Sequence, residues 1–360
     1  MPDGVFAPGG VRFGETIEEV GPVEGEGIDA QGGYIVPGFL DIHTHGAMDR
    51  DFSDGGEGDI AAAARYYAAR GVTGFLATTM TLKEPVLRAA MERVRDLKPT
   101  GAAKCLGVNL EGPFLSFAKK GAQNPDNLHK PDAEMFLRLN EASGGNVRLV
   151  TVAPEEAGAM DFIRRVSKEC TVSLGHTEAD YDTAMEAFDA GASHVTHLFN
   201  AMPSLLHRAP GLIGAARDAG VTAEIICDGL HVHPSAVRCA HDLFGANLAL
   251  ISDSLRCAGM PDGDYELGGL PIVLSGGVAR LRDGTIAGSS ISVYHAVKNA
   301  VRFGIPLEAA IAAATSVPAR AAGLSGSVGS LKPGLRADLL VLDEKLCLKR
   351  IFIDGKEYKD

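Results

Sequence analysis

Residues 37–46 read Pro-Gly-Phe-Leu-Asp-Ile-His-Thr-His-Gly. An apolar run leads into Asp41 and then into His43-Thr44-His45. In an extended strand the side chains at i and i+2 share a face, so His43 and His45 aim two imidazoles at one point. A transition-metal ion needs that arrangement. Alone, the pair does not distinguish a metal site from two histidines at the frayed end of a strand, so the pattern around it has to decide.

Outward from this stretch the chain alternates. Short apolar runs recur at 38–43, 73–78, 105–110, 147–152, 171–175, 193–197, 222–227 and 247–252. Helical patterns lie between most of them, at 59–70, 85–97, 132–142, 157–168, 181–190 and 234–244, and two more follow at 293–303 and 307–322. Eight strands alternating with helices predict an α/β protein, a (β/α)8 barrel of the TIM type. The alternative is a doubly wound open sheet. Such a sheet normally carries Gly-x-Gly-x-x-Gly after its first strand, and here that position holds His-Thr-His-Gly. The chain ends differ from the middle. Residues 11–13, 17–20, 337–342 and 349–353 form short runs broken by Gly and Pro, which read as small β-strands.

Active sites of these barrels lie at the C-terminal ends of the strands. Read in that way, strand one ends in His43 and His45, strand three in Glu111, strand five in His176 and strand six in His197. Strand seven ends in Asp228, three residues before His231, and strand eight ends in Asp253. Imidazoles and carboxylates from distant segments thus converge on one mouth. The donor set predicts a divalent metal, Zn²⁺ first, with Fe²⁺, Mn²⁺ or Co²⁺ also suited. Such an ion lowers the pKa of bound water to about 7, which points to hydrolysis. Asp253 is placed to take a proton and return it to a leaving amine. No Gly-x-Ser-x-Gly elbow offers a serine alternative. Asp41 reads either as an acceptor behind a ligating imidazole or as purely structural. Asp228 reads as a support of the mouth. His194 reads as a core or helix-facing residue. His129, His207, His233, His241 and His295 fall in loops or helices, where a surface or supporting place is expected.

The balance of the chain limits its partners. Its 360 residues are 46% apolar and carry a net charge of −12, which argues against nucleic-acid or anionic-membrane binding. A single local arginine would still admit an anionic small molecule. No apolar run of membrane-spanning length occurs, and the start Met-Pro-Asp-Gly has no basic and apolar leader. A cytoplasmic protein is expected. The six cysteines form no Cys-x-x-Cys and read as thiols in a reducing compartment.

The 37–46 stretch resembles the strand-one signature of the amidohydrolase superfamily. Residues 110–114 (Leu-Glu-Gly-Pro-Phe), 175–177 (Gly-His-Thr), 196–202 (Thr-His-Leu-Phe-Asn-Ala-Met), 228–231 (Asp-Gly-Leu-His) and 252–254 (Ser-Asp-Ser) are similar, more narrowly, to the N-acetylglucosamine-6-phosphate deacetylase family. Residues 261–269 and 287–290 fit the same family, and the matches keep the family's order from about 35 to 340. The resemblance implies a barrel over 37–323 and a small β-sandwich domain built from 1–36 and 324–360. It implies Glu111, His176 and His197 as the essential metal ligands, with His43 and His45 able to hold a second ion. It implies Asp253 as the base and acid, and Asn200, the Ala201 N–H and His231 as holders of the sugar phosphate. It further implies a homodimer in which Arg208 is lent to the neighbour's phosphate site, where a planar guanidinium is well matched.

The implied reaction is hydrolysis of N-acetylglucosamine 6-phosphate to glucosamine 6-phosphate and acetate, within amino-sugar catabolism. Another N-acyl amino-sugar phosphate, such as N-acetylgalactosamine 6-phosphate, is the second reading, and an inactive sugar-phosphate-binding protein is the third. One position departs from the family. After Lys119-Lys120-Gly121-Ala122 the family carries a His that polarises the acyl carbonyl, and here Gln123 stands. Its amide is expected to donate to the carbonyl in that His's place, without the ability to become cationic.

Overall fold

The apolar runs of the middle of the chain become strands in the computed structural model, which describes residues 5–98 and 101–359. They are β1 (Phe39–Thr44), β2 (Val72–Thr79), β3 (Lys104–Glu111), β4 (Val147–Val152), β5 (Thr171–Leu174), β6 (His194–Val195), β7 (Thr222–Ile226) and β8 (Leu248–Ile251). They pair in that order, each with its neighbour in parallel. The ring is completed just past the strand ends. There the Asp253 N–H donates to the His43 carbonyl at 2.9 Å and the His45 N–H to the Ser254 carbonyl at 2.8 Å. The fold is a (β/α)8 barrel.

Alternation along the strands sorts the side chains. Val150, Val152, Val172, Leu174, Val195, Ala223, Ile225, Leu248 and Leu250 join the helices in the large outer core. Ile42, Leu76, Leu149, Ile226 and Ile251, each from a different strand, pack on one another instead. The barrel interior also holds polar groups. Ser173 Oγ lies 2.6 Å from Thr196 Oγ1 and 2.9 Å from His194 Nδ1. His194 is therefore a core residue of the barrel interior, not of the helix-facing side.

Most helices lie within two residues of their expected bounds, for example Tyr181–Asp189 and Pro234–Phe244. The 307–322 pattern is two helices, Leu307–Ala313 and Ser316–Ala321. Pro318 explains the break, because it has no N–H for the Ala314 carbonyl and its ring would clash there. That carbonyl accepts from the Leu40 N–H of β1 at 2.9 Å instead. A helix at Gly211–Ala219 falls outside the expected set; two glycines in nine residues weaken its local signal.

Two smaller structures frame the barrel. Gly263–Leu267, Leu270–Ser275 and Val278–Leu281 form an antiparallel sheet after β8. Its Leu267, Ile272 and Leu274 bury against Met80 and Leu255 at the mouth, with Ala122 packed alongside. Both chain ends build the second structure. Tyr34–Pro37 pairs with Leu339–Leu342, which pairs with Leu348–Ile353, and Gly10–Phe13 pairs with Ile17–Gly21. The two sheets share a core of Ile17, Leu339, Val341 and Phe352. Residues 1–4 and 360 of the small domain expected from the sequence lie outside the described residues. All six cysteines are free thiols. Among the described residues, no helix is long and apolar enough to cross a membrane.

Candidate active site

The strand ends deliver their side chains to one point. Glu111 closes β3, and its Oε1 lies 3.0 Å from His197 Nε2, 3.2 Å from His176 Nε2 and 3.3 Å from His43 Nε2. Its Oε2 lies 3.3 Å from His45 Nε2. Two three-residue groups result, His43–His45–Glu111 and Glu111–His176–His197, with Glu111 common to both and all members buried. Asp253 Oδ1 lies 3.3 Å from His45 Nε2 and 3.6 Å from His43 Nε2. It is the most open of the cluster, at 9% exposure.

Local backbone aims these groups. A register irregularity between Asp41 and Thr44 interrupts the pairing of β1 with β2 where His43 emerges. Gly46 follows at once; a Cβ there would lie 1.9 Å from the Arg50 carbonyl oxygen, so only glycine allows the turn. A Cβ on Gly175 would lie 2.6 Å from Thr196 Cβ, so glycine also permits the approach that precedes His176. His176, His197, Ala201 and Asp253 all take positive φ, at 48°, 27°, 50° and 50°. Non-glycine residues in that region are strained and gather at functional sites.

The tautomers follow from the outer partners. The His43 Nδ1–H donates to Glu224 Oε2 at 2.8 Å, and the His176 Nδ1–H to the Lys119 carbonyl at 2.8 Å. Both partners are acceptors only, so both Nε2 atoms turn lone pairs toward the Glu111 carboxylate. Nε2 of His176 is also 3.0 Å from Nε2 of His197, and His43 Nε2 is buried without a hydrogen-bond partner. Lone pairs so crowded need a cation among them. Donor atoms about 3.0–3.3 Å apart are edges of a tetrahedron whose arms are about 2 Å, the length of zinc–nitrogen and zinc–oxygen bonds. The residues therefore fit a divalent ion. Charge agrees: burial works against a proton on His43, yet Glu224 and Glu111 hold its pKa well above the ordinary value. His45 is likewise raised to about 9, burial being outweighed by Asp253 and Glu111. A metal ion would supply the positive charge these carboxylates draw in.

Gln123 lies against Glu111. Its amide N–H donates to Glu111 Oε2 at 2.6 Å, and its Oε1 accepts from the Thr81 N–H at 2.8 Å. Only this orientation satisfies both partners. A side chain that is 97% buried and engaged at both ends braces Glu111, with the second N–H of its amide not used in these two bonds. Asp41 is placed differently. Its carboxylate accepts from the Ser252 N–H and hydroxyl at 3.3 and 2.5 Å, tying β1 to β8. Burial pushes its pKa up to about 7, against those bonds. The acceptor behind the His43 ring is Glu224, which sequence reasoning missed. An ionisable residue within the apolar run 222–227 was the available signal.

The remaining residues surround the mouth. His231 Nδ1 lies 2.6 Å from Asp228 Oδ2, leaving Nε2 free of that contact. Asn200 donates to the His197 and Leu198 carbonyls at 3.3 and 3.2 Å. Arg208 is exposed on the 204–209 loop, 2.6 Å from His207 Nε2. His129 is exposed, with Nδ1 2.8 Å from the Lys130 carbonyl oxygen.

Known proteins share this framework. The amidohydrolase family model matches residues 34–358. N-acetylglucosamine-6-phosphate deacetylase of Vibrio furnissii is 35% identical over 352 residues, covering 96% of this chain and 86% of that one. N-acetylgalactosamine-6-phosphate deacetylase of Escherichia coli O157:H7 is 37% identical over 327 residues, covering 89% and 87%. The crystal structure of N-acetyl-D-glucosamine-6-phosphate deacetylase from Mycobacterium smegmatis superposes with a TM-score of 0.90 at 34% identity, covering 96% and 94%. Family-model match, similarity over nearly the whole chain and shared architecture agree: the chain belongs to the amidohydrolase family, among its N-acetyl amino-sugar-phosphate deacetylases.

Proposed function

We propose that this protein hydrolyses N-acetylglucosamine 6-phosphate to glucosamine 6-phosphate and acetate, in amino-sugar catabolism. The observation that carries the reading is the Glu111–His176–His197 group with Asp253 beside it, in a chain about 35% identical to deacetylases of that substrate. Glu111, His176 and His197 would hold one divalent ion, zinc being the first choice, and His43 and His45 with Glu111 a second. Such an ion supplies Lewis acidity and makes water acidic enough to deliver a nucleophile near neutral pH. Asp253 takes the proton that the attacking water loses and passes it to the amide nitrogen as the C–N bond breaks, so that glucosamine 6-phosphate leaves as an amine. Asn200, the Ala201 N–H and His231 would grip the sugar phosphate, with Asp228 fixing the His231 ring. Residues 37–323 carry this chemistry, with the small domain of 1–36 and 324–360 attached.

The test is acetate release by protein loaded with a divalent metal. We expect kcat/KM for N-acetylglucosamine 6-phosphate to exceed that for N-acetylgalactosamine 6-phosphate and for the unphosphorylated sugar. A preference for the galactose epimer would reassign the substrate, and binding without acetate release would leave only a sensor. We place the protein in the cytoplasm as a homodimer, Arg208 reaching the partner's phosphate site from its exposed loop; a fully active monomer in light scattering would remove that role.

Gln123 yields a separate expectation. Replacing its amide by an apolar group, as in Gln123→Leu, leaves the Thr81 N–H without its acceptor and Glu111 Oε2 without its amide donor. Zinc affinity, measured by competition with a chelator, should fall by roughly 10–100-fold, as for other residues that hold a ligand. Unchanged affinity with a raised KM would return Gln123 to the substrate.

A further inference from the structure

The barrel interior holds a carboxylate that none of the steps above uses. Glu224 on β7 is wholly enclosed. Its Oε2 accepts from the His43 Nδ1–H at 2.8 Å and from the His197 main-chain N–H at 3.1 Å. These donors belong to different three-residue groups. Glu224 Oε1 is buried without a hydrogen-bond partner and faces His194 Nε2, equally unpartnered, at 3.9 Å. His194 spends its Nδ1 on Ser173.

A carboxylate so enclosed is costly unless positive charge stands near it. The nearest basic groups are His43 and His194, and no lysine or arginine contacts Glu224 among the described residues. Its hold on the two groups is unequal. It bonds the ring of His43, and so decides which nitrogen of that ring carries the lone pair. For His197 it bonds only the main chain, and the ring is left to other contacts.

We infer that Glu224 is a positioning residue that enables the His43–His45–Glu111 group to take a divalent ion, by fixing the Nδ1–H tautomer of His43 and by placing a negative charge behind its ring. This rests on the reading of that group as an ion site. A carboxylate behind a ligating imidazole raises its basicity and fixes its orientation. The bond to the His197 N–H holds the second group's strand end in register with the first.

Glu224→Gln separates charge from shape. The amide oxygen still accepts from both donors, and the amide N–H₂ meets the unpartnered Nε2 of His194. Metal-free protein is titrated with Co²⁺, following visible absorption and bound metal per chain. The wild type should take two equivalents. In Glu224→Gln the affinity of one equivalent should fall by roughly 10–100-fold while the other holds. Two equivalents bound as in the wild type would overturn the role of Glu224. Equal weakening of both would also overturn it, making Glu224 a general support of the barrel. A wild type that takes only one equivalent would instead refute the two-ion reading itself. Should the variant not fold, long-range ¹H–¹⁵N spectra of the metal-free wild type decide: His43 with its proton on Nε2 contradicts the proposal.

Discussion

Asp253→Asn is expected to bind N-acetylglucosamine 6-phosphate with near-wild-type affinity and to lose roughly 10²–10⁴-fold in kcat, the usual contribution of a positioned acid–base group. Asparagine copies the shape of the carboxylate, but it cannot accept the proton of attacking water or return it to the leaving nitrogen. The backbone that holds the side chain is independent of its charge: the Asp253 N–H bonds the His43 carbonyl, and its carbonyl accepts from the Ser289 N–H at 2.8 Å. The variant should therefore keep its metal and its melting temperature. Calorimetric titration with the sugar phosphate and a stopped assay for acetate separate binding from turnover. Turnover within a few-fold of wild type would show that another group moves the proton.

The second large effect concerns Glu111. It is the member common to both groups, so Glu111→Gln should empty both, whereas His43→Ala combined with His45→Ala should leave Glu111–His176–His197 able to hold one ion. The change also alters the partner of Gln123, whose amide N–H now donates to Oε2 at 2.6 Å. We expect metal content and acetate release to fall together towards background in Glu111→Gln. Thermal unfolding gives an independent reading. An ion at a hundredfold excess over its Kd stabilises the folded state by about 2.7 kcal/mol, so added zinc should raise the melting temperature of the wild type and leave that of Glu111→Gln unmoved. A variant that still binds stoichiometric metal would place the essential ligands elsewhere.

The barrel was legible in the sequence because its strands are buried on both faces or nearly so, and therefore read as continuous apolar runs. The strand ends were legible for a related reason: His43, Glu111, His176, His197 and Asp253 each interrupt or terminate such a run. What escaped lacked that contrast. The Gly211–Ala219 helix is rich in small residues, and its apolar face is set by packing rather than by propensity. The sheet of residues 263–281 alternates exposed and buried positions, a weaker pattern. Glu224 sits inside a run whose outward neighbours, Ala223 and Ile225, are apolar, so the run announces a strand and hides the charge. Gln123 was legible as a departure from a family pattern, but its engagement with Thr81 and Glu111 depends on how the 117–127 segment folds over the mouth. A list of residue types does not reveal which donors are already taken.

The seam between β1 and β8 also bears on how the centre is assembled. Asp41 and Ser252 are 211 residues apart in the chain, and their contact is among those the polypeptide must wait longest to make. The His43 carbonyl and the Asp253 N–H meet across the same seam. Asp253 and the first imidazole are thus delivered to each other only when the ring shuts. Until then the centre around Glu111 lacks its neighbour Asp253. Acetate release on refolding is therefore expected to return no sooner than this seam closes.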